Sequence, residues 1–435
     1  MSSPLVIVVA SLATAILAGL FRNQRTASSF IAASGAALLA VFILFVPLDE
    51  ATSVLGLSLR FDSQWVVLGR VLYLGQAIRP MIGFLYLAGL YLFSGSWLVV
   101  QNRFFPSIAV LMLMTVAGSI MVEPFLFASA FIGLAAMGSV LLLVSQDNPQ
   151  SGGAIRLMVL YTFAMLAILL SGWMIETGSG IGTSSNGGVS AATVLSFGFA
   201  ILMAIPPFHI WLTAGVQESN NFIVAFVTII LQSAGFFFLL RFLDTFSWLR
   251  EDPIFHTGLR VISVGTMFLA SLWALSSKDL RKVFAYAIVA DMGVILLALS
   301  RGSSTGARIA LALFGARIFG IAVLALGLCV IRTRAGEWRG AGRRQPIAAL
   351  SILVSLLSLA GFPLTAGFPG RWALLSLNYS QDLYILITLL STMILFALLV
   401  LRWATILFDP TQDEERNPRI TSLRLYLLFG IASLI

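Results

Sequence analysis

Charge, cysteine and histidine are scarce in this sequence. Of its 435 residues only 10% are charged, against roughly 25% in an ordinary soluble domain. The chain is 59% hydrophobic and its mean hydropathy is +1.00. So little charge cannot cover a water-facing surface of this size, and the composition is that of an integral membrane protein. The single cysteine, Cys329, lies in an apolar run. It excludes a disulfide framework and any cluster that needs several thiolates. Two histidines argue against a His-rich metal or haem site. No P-loop, dinucleotide fingerprint or paired-cysteine motif occurs, so no cofactor is expected in this chain. The polar gaps, such as Asp49–Gln64 and Arg332–Gln345, are loop-sized and leave no soluble domain. The net charge of +8 reads as a topology signal and headgroup contact, not as a nucleic-acid footprint. Pro4–Phe21 has no basic segment before it, so no cleavable signal is expected.

What is present is a series of about fourteen apolar runs near the ~20 residues that a bilayer requires. The first is Pro4–Phe21. The last begins at Leu425 and stops without a polar cap, so 420–435 is expected to be the start of a last helix, cut short. Alternate loops differ in charge. With the N-terminus outside, sixteen Lys and Arg face the cytoplasm and eight the opposite side, which predicts that orientation in a bacterial-type inner membrane. The loop RTRAGEWRGAGRR carries five of the sixteen. Gly178–Gly188 is glycine- and serine-rich, has no charge and is expected to be an outside loop.

Two helices are expected to be interrupted, at Pro206–Pro207 and over Gly361–Gly370. Such breaks are tolerated where they line a polar cavity or pack inside protein. A pair of them in corresponding places points to a midplane site between inverted repeats. The spacing predicts three N-terminal helices over 1–103, a five-helix repeat over 104–242, a second over 257–408, and the partial helix 420–435.

Three segments carry a family resemblance. PFHIW at Pro207–Trp211 resembles the Pro-Phe-His-x-Trp break after helix seven of antiporter-like subunits. KDLRKVFAYAIVADMG at Lys278–Gly293 resembles the basic turn that opens helix ten. GFPLTAGFPGR at Gly361–Arg371 resembles the interruption of helix twelve. Those subunits occur in respiratory complex I, Mrp-type antiporters and membrane hydrogenases. Length and span count suit the shorter, subunit N type, and the resemblance covers roughly residues 100–405. It implies an all-α membrane fold and a place in the membrane arm of a complex I-like NADH (or other donor):quinone oxidoreductase. The implied partners are other integral membrane subunits and lipids, with quinone reached only through neighbouring subunits, and no nucleic acid. An Mrp-type antiporter, a membrane hydrogenase, a bicarbonate-uptake complex and a stand-alone secondary transporter stay open as alternatives.

The resemblance also implies a row of Lys, His and Glu that moves protons, and most of that row is missing. The helix-five glutamate position falls at Phe131, or at Ala130 after a one-residue slip. The helix-seven lysine position falls at Leu202 and the helix-eight lysine position at Gln232. On the next-to-last expected pair, Leu311 and Gly315 stand for His and Lys, with Arg317 displaced by two residues. The helix-twelve lysine is Arg371 and the helix-ten histidine is Asp291. An amide does not titrate and an arginine stays charged, so the usual relay is expected to be degenerate.

The residues left to carry protons are Asp291, His209, Glu123 and Gln232. Each also has a structural reading. Gln232 can be an interhelical hydrogen bond, common in membrane bundles. His209 can be a packing or cap residue held by backbone. Glu123 can be an interfacial residue at a helix end. Asp291, about 10 Å into its helix if that helix opens at Phe284, needs a counter-charge, and Arg317 is the candidate. Arg317 and Arg371 must be paired if buried, or act as a fixed electrostatic barrier. Lys278, with Arg281 and Lys282, reads as a basic turn at the membrane face. No residue is expected to be catalytic and none to bind metal.

Overall fold

In the computed structural model of the chain, residues 2–49, 51–54, 57–67, 69–144, 151–177, 190–331, 338–379, 382–410, 428 and 430–434 are described. The Gly/Ser loop expected at Gly178–Gly188 lies outside them, as do the first part of the arginine-rich loop and nearly all of the last apolar run.

In chain order the helices are α1 (Ser3–Leu20), α2 (Arg25–Phe45), α3 (Arg79–Val99), α4 (Phe105–Met121), α5 (Ala128–Leu143), α6 (Gly152–Glu176) and α7 (Ala191–Leu202). Then come α8 (Ile210–Glu218), α9 (Asn221–Thr245), α10 (Ser247–Arg250), α11 (Pro253–Ser276), α12 (Leu280–Leu299) and α13 (Ser304–Val330). The last four are α14 (Ala341–Arg344), α15 (Pro346–Ala360), α16 (Phe368–Asn378) and α17 (Leu383–Leu407). Among the described residues nine helices are long and apolar enough to cross a membrane. Four shorter apolar helices, α4, α5, α7 and α15, join them. This is an all-α, multi-pass membrane protein.

The chain divides into two compact units, Met1–Ala204 with Phe226–Phe246, and Ile205–Ala225 with Ser247–Ile435. In the first, α1, α2, α3 and α4 pack on one another, and α4, α5, α6 and α7 follow in neighbouring pairs. In the second, α12 packs against α11, α13 and α8, and α13 against α15 and α16. Helices α9 and α12 are apolar all round and are buried along nearly their whole length, as expected of helices with no polar face. By contrast α1 and α2 leave Leu20, Phe30, Leu38 and Phe45 exposed. In a bilayer those faces meet lipid tails.

Two corrections to the sequence reading concern the elements themselves. The Asp49–Gln64 gap is not a bare loop. Strands β1 (Ala51–Val54) and β2 (Leu57–Arg60) pair antiparallel, as do β3 (Gln64–Val67) and β4 (Arg70–Tyr73). β4 also pairs with β5 (Val122–Glu123), with Val71 opposite Glu123 and Leu72 opposite Val122. Secondly, α12 opens at Leu280 rather than Phe284. Asp279 caps it by accepting from the Arg281 N–H at 3.0 Å. Asp291 therefore lies about 16 Å along the helix, deeper than the sequence suggested.

Candidate functional site

Prolines that interrupt apolar helices create a specific demand. A proline has no N–H, so the carbonyl four residues before it loses its helical partner. Away from water, that carbonyl needs another donor. Among the described residues, five such carbonyls are served by a side chain from a different helix. Opposite Pro47, Ile43 O accepts from Arg79. Opposite Pro124, Ile120 O accepts from Arg241. Opposite Pro206, Leu202 O accepts from the Tyr161 hydroxyl at 3.1 Å. Opposite Pro207, Met203 O accepts from Gln232 Nε2 at 3.0 Å. Opposite Pro363, Leu359 O accepts from Arg371.

This places Gln232. It lies midway along α9 and is fully buried, and its amide serves the broken end of α7. A Cβ on Gly235 would come within 3.0 Å of Leu202 Cβ, so glycine there lets α9 approach the break. Gln232 is thus an interhelical hydrogen bond in the first unit. Leu202, at the helix-seven lysine position, is itself buried. Phe131, at the helix-five glutamate position, packs its ring over Gly118, where a Cβ would meet it at 2.8 Å.

Glu123 forms an ion pair with Arg241, Nη2 to Oε1 at 2.8 Å, while the Glu123 side chain remains 48% exposed. Arg241 also donates to Val122 O at 3.1 Å. Arg241 is one of the eight basic residues expected in loops of the outer side. It is buried within α9, because that helix runs on to Thr245. Arg79 is expected in a loop of that side as well, and Arg402 in one of the other side. Arg79 opens α3, and Arg402 lies in α17 and donates to Leu275 O.

In the second unit Asp291, Arg317 and Arg371 meet. Arg371 Nη2 donates to Asp291 Oδ1 at 2.8 Å. Arg317 Nε is 3.3 Å from Asp291 Oδ2. All three are buried. One carboxylate therefore faces two guanidinium groups, from α13 and α16, across the middle of α12. Arg317 further donates to Met292 Sδ at 2.9 Å and to Ile288 O at 3.5 Å. The candidate partner Arg317 is present, and Arg371 is a second one that the sequence left unassigned. The interruption makes room for it. Gly361 ends α15 with φ +73°, and a Cβ there would lie 1.9 Å from Arg371 Cδ. Only glycine suits both that backbone and the arginine passing over it.

His209 is the N-cap residue of α8, and its side chain makes no capping hydrogen bond. Its ring stacks on Trp273 of α11, centroids 5.1 Å apart and 15° between planes, with Tyr286 of α12 at 6.0 Å. Among the described residues its buried Nδ1 has no hydrogen-bond partner. Lys278 is exposed in the turn between α11 and α12.

Residues 125–397 match the family model described as NADH:quinone oxidoreductase/Mrp antiporter, TM. The chain belongs to that family. Within the NADH:quinone oxidoreductase/Mrp antiporter family it is similar to the NADH-quinone oxidoreductase subunit N of Azoarcus sp. (strain BH72), 27% identical over 81% of this chain and 79% of that one. Matches to some other subunit N relatives reach over less than half of their length. Two solved structures share the fold. A chain of the membrane-bound sulfane sulfur reductase, an archaeal respiratory membrane complex, superposes with a TM-score of 0.78 at 17% identity, covering 99% of this chain and 93% of that one. A chain of respiratory complex I from Thermus thermophilus gives 0.72 at 19% identity, covering 98% and 96%. The chain is an antiporter-like membrane subunit of the subunit N kind.

Proposed function

We propose that this protein stands in the membrane arm of a complex I-like NADH (or other donor):quinone oxidoreductase, and that its usual proton route is degenerate. Its partners are other integral membrane subunits, with lipid around them and quinone reached only through neighbours. Electron transfer belongs to other chains of the complex, and this chain carries no redox cofactor. The N-terminus faces outside, in keeping with the sixteen-to-eight excess of Lys and Arg in the loops of the other side.

One observation carries the degenerate route. At two positions where the resemblance implies a lysine, the side chain donates to a carbonyl that a proline has orphaned: Gln232 to Met203 O, and Arg371 to Leu359 O. Neither changes protonation at physiological pH. The groups hold broken helix ends together and do not pass protons on. The test is proton pumping by the intact complex in liposomes. Gln232→Leu and Arg371→Met are expected to leave the proton-to-electron ratio unchanged in complexes that assemble. Loss of pumping with normal assembly in either variant would overturn the reading.

A further inference from the structure

The four helices α1 to α4 end together in a cleft that the functional reading does not use. It is a shallow surface cleft, and it lies where α1 and α3 finish and α2 and α4 begin. Three arginines line it, Arg22, Arg25 and Arg103, with Ser29, Ser96 and Trp97. No carboxylate lines it among the described residues. Among the described residues none of the three arginines forms an ion pair. Arg22 sits over the Phe104 ring at 5.0 Å, and Arg103 donates to Asn23 Oδ1 at 3.5 Å.

We propose that this cleft binds the phosphate headgroup of an anionic membrane phospholipid. Three guanidinium groups with no carboxylate among the described lining residues match a phosphodiester, which accepts forked hydrogen bonds. The N-termini of α2 and α4 both open here, adding partial positive charge at the same end. At α2 the N-cap side chain makes no capping hydrogen bond, whereas at α4 the Phe105 N–H is taken by Asn102 O and Pro106 has none. The ligand is a lipid rather than a free anion because of what borders the cleft. Leu17, Leu20 and Phe21 lead directly into Arg22, Phe30 follows Arg25 in α2, and all four are exposed, apolar surface next in the chain to the charges on which acyl chains would lie. Trp97 on the cleft wall is the residue type that favours the membrane interface.

The test uses the full chain purified in mild detergent and native mass spectrometry of added phosphatidylglycerol, phosphatidylcholine or inorganic phosphate. Phosphatidylglycerol is expected to bind at one per chain and at least about tenfold more tightly than phosphatidylcholine. Changing Arg22, Arg25 or Arg103 to Gln should weaken it about fivefold each, the effect of one basic residue near an anionic surface. A tenfold excess of inorganic phosphate should not displace it. Equal binding of the two lipids by the parent chain overturns the proposal without any variant. So does an unchanged affinity in the triple variant. Displacement by inorganic phosphate would make the site one for a free anion and equally overturn a lipid site.

Discussion

Replacing Asp291 by Asn removes the carboxylate that faces both Arg317 and Arg371 in the second unit. The amide keeps the shape and can still accept from Arg371, at 2.8 Å in the parent. It cannot neutralise two guanidinium groups that are each 3% exposed. Breaking a buried pair in this way costs about 3–5 kcal/mol. In a folding unit of this size that shifts melting by roughly 10 °C. The chain supplies its own probe. Cys329 is the only thiol, its Sγ 3.4 Å from Asn220 Oδ1 in the same unit, and a thiol-reactive dye reports its release on heating. Asp291→Asn should melt about 10 °C below the parent. Replacing all three residues together, Asp291→Leu with Arg317→Met and Arg371→Met, should recover most of the loss, since apolar replacement of a whole buried ion set is often close to neutral. A residual deficit of about 1–3 kcal/mol is expected, because Leu359 O then lacks its donor. If Asp291→Asn melts within ~2 °C of the parent, the carboxylate does not hold the two arginines. If it melts normally and yet abolishes pumping, Asp291 is a proton station.

The same thermal assay checks the other donors. Gln232→Leu should cost about 1–3 kcal/mol, the price of leaving Met203 O buried without a partner. Tyr161→Phe should cost about 1 kcal/mol, at the low end of that range, because only one hydroxyl is lost. Glu123→Gln should change stability by less than about 1 kcal/mol, since its carboxylate is half exposed and screened; a loss above 2 kcal/mol would refute that assignment. Gly361→Ala should be the most damaging single change near the second break, because it meets both a left-handed backbone and Arg371; normal expression and melting of that variant would contradict the close passage.

Much of the fold was legible because apolar runs and helix spans coincide in a membrane protein. The misplaced boundaries have one cause. Hydropathy marks where lipid begins, whereas a helix continues as long as its backbone is satisfied. Hence α12 runs back through the basic turn to Leu280, and α9 runs on to bury Arg241. The strands β3 and β4 did leave a local trace, two short β-rich runs on either side of Gly69, which has φ +74°. Glu123 and Asp291 were visible as candidates, but their partners were not. Arg241 is 118 residues from Glu123 and Arg371 is 80 from Asp291, and no local pattern spans such distances. The orphaned carbonyls, on the other hand, can be read directly from the prolines. Only the identity of each donor waits for the tertiary structure.

Those proline–donor pairs make residues interdependent across long stretches of chain. If Pro207 were exchanged for any residue with an N–H free to serve Met203 O, the demand on Gln232 would lapse and an apolar side chain could replace it. If Gln232 went first, the carbonyl would be stranded. Substitutions at the two positions should therefore be accepted in one order and rejected in the other, and the same holds for Tyr161 with Pro206 and for Arg371 with Pro363. The amide at 232 is then kept by a neighbouring helix's missing hydrogen, and its history should follow that proline rather than any change in what the complex pumps.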